Sequence, residues 1–427
     1  MHSATQRDGQ RIAVVGSGVS GLVSAMRLST RHHVDLYESE PRLGGHTATI
    51  PVSVPEGDFA IDTGFIVFND RNYPRFRKII DDLGLAYQPT EMSFSVTDPV
   101  DGWVFNGHTP NSLFCDRRNL LKPAFYRFLL EIARFNKVAK ARLAETAPIS
   151  TDLTVGDLLR EGRFSDDLAR KYLLPMGAAI WSSSLADVRE YPLPFFLQFF
   201  ENHGLLDLVN RPQWFTLVGG SSSYIPHFTE SISGDIRVGS GIARVARSDD
   251  GVQLVTDSGQ RADYDRVVLA CHSDQALGLL DAPTEAEQRV LEAIPYRENR
   301  VILHRDETAL PATQLARASW NYRLGADEAT PPSVTYSMNI LQCLPADAPQ
   351  FCVTLNPNHA IREESILGEY RYAHPQFGVD MIAAQTQRGD ICGVDRIHYC
   401  GAYWYNGFHE DGVRSALDVC EQLGCSV

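Results

Sequence analysis

The sequence predicts an α/β chain: a Rossmann-type dinucleotide-binding domain interrupted by an inserted α+β domain. Three observations predict it. An apolar run near the N-terminus leads straight into spaced glycines. A second apolar run ends in an acid 22 residues past the first of them. Near the C-terminus the chain returns to strand, glycine and helix.

The first of these lies in RIAVVGSGVSGLVSAMRLSTRHHVDLYE, Arg11 to Glu38. Ile12–Val15 reads as a strand buried on both faces of a parallel sheet. Gly16, Gly18 and Gly21 fit G-x-G-x-x-G: one for the sharp turn, one for close approach of a pyrophosphate, one for helix–strand packing. The next segment is a helix, with Leu22, Ala25, Met26 and Ser29 at helical spacing. It aims free N–H groups and its positive dipole end at that phosphate. Val34–Tyr37 is the second strand, and Glu38 stands where an acid binds the ribose. The adjacent Gly44 and Gly45 allow a second close backbone approach to the same ligand.

Further along, Asp62-Thr63-Gly64 closes a strand-like run, and Arg77–Leu83 predicts a helix ending at Gly84. Met92–Val96 and Trp103–Phe105 read as short strands joined through Asp101-Gly102. Arg117–Leu143 is the longest helical pattern, with Phe125, Phe128, Leu129, Ile132, Phe135, Ala139 and Leu143 on one stripe. It holds eight basic residues against one acid, Glu131. That face is either simply solvated or meets anionic lipid headgroups or an acidic carrier. Helices are expected at Thr154–Glu161, Ser165–Leu174 and Ile361–Tyr370. LPFFLQFF, Leu193–Phe200, is either core or the wall of an apolar substrate tunnel. Strands are expected at Trp214–Leu217, Ile236–Val238, Val252–Thr256, Arg266–Ala270, Ile294–Leu303 and Ser333–Met338. Gly239-Ser-Gly241 imitates a dinucleotide loop, but Arg244 replaces the third glycine and the residues after it are strand-like rather than helical.

Composition narrows the function classes. At 427 residues two domains are expected, and 44% hydrophobic with 22% charged residues describes a soluble globular chain. A net charge of −14 argues against a nucleic-acid partner. No apolar stretch is long enough to span a bilayer, and MHSATQRDGQR lacks the apolar core of a signal peptide. The eight cysteines are scattered without zinc spacing, so no metal site is expected, and the reading is cytoplasmic with reduced thiols.

The C-terminal stretch HYCGAYWYNGFHEDGVRSALDVCEQL, His398–Leu423, selects the cofactor. A strand reaches Gly401, aromatic residues come next, Glu410-Asp411 takes an N-cap position, and Gly412 opens a helix. A helix N-terminus there suits the negative charge of a reduced flavin's pyrimidine edge. One helix start for a pyrophosphate and one for a flavin ring favour FAD over a nicotinamide. No second complete glycine motif is present.

These residues, with SGLVSA at Ser20–Ala25, LGGHT at Leu43–Thr47, DTGFIVFN at Asp62–Asn69, MSFSV at Met92–Val96, LLPMGAAIWS at Leu173–Ser182 and PQW at Pro212–Trp214, resemble the FAD-dependent amine-oxidase-like superfamily. Within it the chain looks like the stand-alone bacterial flavoproteins that resemble the oxidase-like N-terminal domain of plant cyclopropane-fatty-acid synthases. The resemblance implies an amine-oxidase/PHBH-like two-domain flavoprotein. Residues 1–75, 213–280 and 389–427 would form the FAD domain, and 76–212 and 281–388 the substrate domain. It assigns cofactor contacts to Gly16, Gly18, Gly21, Glu38, Arg42, Gly44, Gly45, Gly401 and Gly412, with Val245 beside the adenine. The candidate set also takes in Val19, Ser20 and Ser39, the helix start Asp411–Val413, and His46, which either contacts the flavin or only fills the position after the glycine pair. Relatives carry a tyrosine cage over the flavin, for which Tyr403 and Tyr405 are candidates. His409 borders the ring segment and is a candidate proton acceptor. Amine oxidases also use a lysine from the later substrate domain, yet Lys171 is the last lysine in this chain.

The expected activity is hydride removal from a carbon of an apolar substrate, a modified fatty acyl chain or a lipid-linked one. The alternatives are an amine oxidase, a flavin-dependent double-bond isomerase, and a non-catalytic flavoprotein partner of a lipid methyltransferase. Peripheral membrane contact through residues 117–143 is part of this expectation.

Overall fold

The structure, a computed structural model, describes residues 9–207 and 211–425. Its centre is a five-stranded, wholly parallel sheet in the order Ile236–Arg237, His33–Tyr37, Arg11–Val15, Arg266–Leu269, Ile397–Tyr399. Strands from the start, middle and end of the chain thus build one sheet. The reason is compositional: Ile12, Ala13, Val14, Val34, Leu36, Val267, Val268 and Ile397 are wholly buried, so each run needs cover on both faces. The Val19–Leu28 and His409–Gln422 helices pack together on this sheet.

The second sheet has seven strands, in the order Ile366–Pro375, Tyr296–His304, Cys352–Leu355, Ser333–Ser337, Trp320–Arg323, Phe94–Thr97, Val104–Asn106. All its joins are antiparallel except that between Trp320–Arg323 and Phe94–Thr97. Helices between Pro110 and Asn202 form the remainder of the inserted part. A three-stranded sheet links the two regions: Trp214–Leu217 pairs with Val67–Asn69 and with Tyr87–Thr90.

Three local expectations are corrected. Ile361–Tyr370 is not a helix. After a short 3₁₀ turn at Glu363–Ser365, Ile366–Pro375 is an edge strand paired along the whole of Tyr296–His304. The alternating Tyr370 and Tyr372 suit a strand, and Arg300–Glu369 and Arg371–Glu298 ion pairs cross the join. The long basic helix is interrupted: Arg117–Leu121 is 3₁₀, Lys122 is extended, and Pro123 starts the helix Pro123–Leu143 at its first position. The C-terminal helix begins at His409, three residues before Gly412, because Asp411 closes a capping box on the Phe408 N–H at 2.9 Å.

Glu410, expected at that N-cap, instead caps a different helix. Its buried carboxylate accepts the Phe76 N–H at 2.9 Å and the Arg75 N–H at 3.1 Å, in the first turn of Pro74–Asp82. It therefore fixes that helix to the start of the C-terminal one. Glu410→Ala leaves these N–H groups without acceptors and is expected to cost about 2 kcal/mol. Glu410→Gln, which keeps an acceptor oxygen, is expected to cost less. Urea unfolding of the two variants checks the ranking, and equal midpoints would contradict it.

Candidate active site

The glycine turn folds as its spacing requires. Gly16 has φ +99° and sits against the Ala270 carbonyl, and a Cβ on Gly21 would lie 1.8 Å from the Gly16 oxygen. Only glycine permits helix and strand this close. A Cβ on Gly18 would meet nothing within 4 Å, so the ground before the Val19–Leu28 helix is open. The Leu43–Thr47 loop arrives beside it: Gly44 and Gly45 have φ of +112° and +56°, and a Cβ on Gly45 would stand 3.1 Å from the Gly18 Cα. Arg42 holds this loop through the Gly45 carbonyl at 2.8 Å and the Thr47 carbonyl at 3.2 Å.

Glu38 is buried at the end of its strand. Its carboxylate accepts the Ser17 N–H at 2.9 Å, the Ser17 hydroxyl at 2.5 Å and the Glu40 N–H at 2.9 Å, with the Ser39 hydroxyl at 3.3 Å. It thereby ties the glycine turn to the second strand. The Gly239–Gly241 loop lies over it, with the Ser240 N–H on the Glu38 carbonyl at 2.7 Å, and leads into the strand Ile242–Arg247. Val245 is buried in that strand, its carbonyl accepting the Asp281 N–H at 3.0 Å.

The C-terminal helix starts against the first one. A Cβ on Gly412 would lie 2.6 Å from Val19 Cγ1 and 2.9 Å from Ser20 Oγ, and Val413 beside it is wholly buried. Both positive helix ends therefore open toward the same region. Asp411, buried in the first turn, has its carboxyl pushed up to about 7, by burial first and then by the adjacent Glu410.

Four histidines gather near these helix starts. His46 lies 5.9 Å from His272 and 5.3 Å from His374 between ring centres, with Tyr372 at 5.2 Å. His374 Nδ1 bonds the Ser182 hydroxyl at 2.9 Å. His272 stacks on Tyr296 at 4.2 Å. His409 stacks on Phe65 at 3.7 Å and bonds the Tyr224 hydroxyl through Nε2 at 3.0 Å. Burial, with repulsion among the rings, holds His46 and His272 down to about 4 and His374 and His409 down to about 3. All four keep some accessible surface although protein surrounds them, as side chains lining an internal cavity do.

His409, the candidate proton acceptor, is held by the Phe65 stack and the Tyr224 bond, and burial makes its ring a weak base. The two candidate cage tyrosines part company. Tyr403 is buried, folded against Gly401, where a Cβ would lie 2.2 Å from its ring, and its hydroxyl has no partner among the described residues. Tyr405 is turned along the flank of the C-terminal helix. Its hydroxyl donates to Asp418 at 2.6 Å and the Arg414 guanidinium lies 3.8 Å over its ring. It is therefore not brought together with Tyr403. The Gly401 N–H donates to Ser415 at 2.9 Å.

His272, Tyr296, Tyr372 and His374 were missed from sequence. The last two sit at alternate positions of a strand misread as helix up to Tyr370, and that period of two was the available signal. The residues fit FAD in kind. The open ground at Gly18, the glycine-paired loop, and the unpartnered His46 Nε2 and Tyr403 hydroxyl offer space and free hydrogen-bonding groups for a large polar ring system.

Stability should fall with acid. These four histidines, with His203, His304 and His398, have folded-state values near 3 or 4. On unfolding they return to about 6.5, so stability present above pH 6.5 is lost as pH falls toward 4. Asp62 and Asp411, raised to about 6 and about 7, act in the opposite direction, losing stability as pH rises through those values. His359 is lowered and Glu410 raised as well, so eight groups outnumber three and the urea midpoint is expected to drop from pH 7 to pH 5. A flat or rising midpoint would contradict this.

Comparison with known proteins agrees with this geometry. An 85-residue segment is 35% identical to protoporphyrinogen oxidase 2 of Arabidopsis thaliana, covering 20% of this chain and 16% of that protein. The fold is similar to that of the CLA-producing fatty acid isomerase from P. acnes, with TM-score 0.70 and 15% identity over 98% of this chain and 99% of that one. It is also similar to cyclohexylamine oxidase from Brevibacterium oxydans IH-35A, with TM-score 0.69 and 15% identity over 97% and 98%. The family model for flavin containing amine oxidoreductases matches residues 19–325, and the chain belongs to that family of FAD-dependent enzymes.

Proposed function

We propose that this FAD-dependent oxidoreductase removes hydride from a carbon of a long apolar substrate, a fatty acyl chain. The observation that carries the reading is an aromatic wall ending at the N-cap of the C-terminal helix. On the helix Leu193–Asn202, Phe196, Phe199 and Phe200 are buried, and Phe195 is half-buried beside them. Phe195 stacks on Phe377 at 4.9 Å and Phe199 on Phe408, the N-cap residue, at 5.0 Å. Trp181 packs among them, 4.6 Å from Phe199, its indole N–H unpartnered among the described residues. Phe377 also lines a surface cleft of about 580 Å³ with Pro295, Gln376 and Met381. Such a wall suits a chain without polar groups.

FAD, when bound, supplies the hydride acceptor. The chain's own residues place and isolate the reacting carbon. The aromatic wall holds the apolar chain and excludes water. The histidines stay neutral near pH 7 and so add no charge to an apolar path. The first turn of the C-terminal helix begins at His409, so the free backbone N–H groups are those of His409–Asp411 rather than Asp411–Val413, the Gly412 N–H being donated to the Phe408 carbonyl at 3.0 Å. They would favour negative charge on the ring's pyrimidine edge. The lysine inventory speaks against amine oxidation: Lys171 is committed to Asp101 and Asp167, each at 3.1 Å, and no lysine lies beyond it.

Anaerobic mixing of the purified flavoprotein with fatty acyl lipids, and separately with amines, tests the reading. Bleaching by lipid with a product two mass units lighter is expected. Bleaching by amines alone would overturn it, and lipid conversion without mass change would assign a double-bond isomerase instead. Phe195→Ala, at the half-buried member of the wall away from Phe408, is expected to lower kcat/KM for the acyl substrate roughly tenfold with flavin content unchanged.

A further inference from the structure

The helix Pro123–Leu143 presents an outward face that neither the fold nor the active site uses. Its inward face buries Phe125, Phe128, Ile132, Phe135 and Ala139. Outward, Leu130 is 70% exposed and Tyr126 43%; in the preceding turn Leu121 is 89% exposed and Leu120 47%. Tyr126 donates its hydroxyl to the Leu120 carbonyl at 3.0 Å, which joins turn and helix into one surface. Tyr126, Leu130, Ala133 and Lys137 succeed each other at helical spacing along this face.

Cations frame the apolar stripe. Arg117, Arg118, Lys122, Arg127, Arg134 and Lys137 stand against two carboxylates, Asp116 and Glu131, in that stretch. Both acids are already engaged, Asp116 by Arg118 and Lys122, and Glu131 by Arg134 and Ser165. Arg127 and Lys137 have no acidic partner among the described residues. Beyond Lys137 the pattern stops: Lys140 pairs with Asp207, and Arg142 with Glu145 and Glu161. Exposed leucines ringed by unneutralised cations suit a surface that is apolar inside and anionic outside. The chain as a whole carries −14, but charges farther than about 10 Å away are largely screened, so the local positive field governs contact.

We propose that residues 117–137 are a docking patch for an anionic lipid bilayer. Leu121 and Leu130 enter the headgroup boundary, and Lys122, Arg127 and Lys137 meet lipid phosphates. The helix packs on Leu193–Asn202, which bears the aromatic wall, so docking would bring the membrane within one helix of that wall. The patch stands independently of the reaction assigned above.

Co-sedimentation of the holoenzyme with vesicles of mixed phosphatidylglycerol and phosphatidylcholine, against pure phosphatidylcholine, tests it. Binding to the mixed vesicles alone, weakening as salt is raised, is expected. Leu121→Glu with Leu130→Glu, and separately Lys122→Glu with Arg127→Glu, should each weaken binding about tenfold or more. Flavin absorbance and circular dichroism should stay unchanged, because these side chains are at the surface. Should the acidic leucine pair lose flavin, Leu121→Ser with Leu130→Ser replaces it. No binding to anionic vesicles would overturn the proposal. So would full binding by the leucine variants, which would mean the patch reads charge alone, as an acidic protein partner would require.

Discussion

The Val19–Leu28 and His409–Gln422 helices begin in contact so close that a Cβ on Gly412 would lie 2.6 Å from Val19 Cγ1. Everything around the site depends on that approach. It sets two positive helix ends side by side, one above the glycine turn and one beside the histidine cluster. The parallel sheet enforces it: Arg11–Val15 and Ile397–Tyr399 flank Arg266–Leu269, so the helices that succeed them start at the same sheet edge. Asp411 keeps the second helix start in place, and Glu410 extends the constraint to the Pro74–Asp82 helix.

Much of this architecture could be read from residues. The glycine turn was readable because steric exclusion leaves few alternatives: no residue with a Cβ fits at Gly21, and the positive φ of Gly16 favours glycine. The buried parallel strands were readable because runs such as Ile12–Val15 have no polar face. The strand Ile366–Pro375 was not. ILGEYRYAHP alternates half-buried and exposed positions on a sheet edge, but its inward face is not uniformly apolar, and long-range pairing with Tyr296–His304 decides the outcome. The site suffered the same limit. Glycines and Glu38 announce themselves by spacing, whereas His272 and His374 come together only through tertiary packing.

The histidines show how burial changes the meaning of a residue type. On intrinsic basicity His409 is a natural proton acceptor; enclosed by Phe65, Phe76 and Tyr224 it stays neutral to about pH 3. It stands beside an aromatic wall that reaches Phe408. The five lysines are equally telling by position, since all lie in the inserted helical half or before it.

The convergence of two helix starts on one FAD is the central claim, and FAD affinity of Gly412→Ala tests it most directly. The added methyl presses on the Val19 and Ser20 side chains and parts the helices while leaving the three glycines of the turn in place. Titration of the flavin-stripped protein is expected to show affinity reduced roughly tenfold with circular dichroism unchanged. Wild-type affinity in a variant that folds normally would contradict the account.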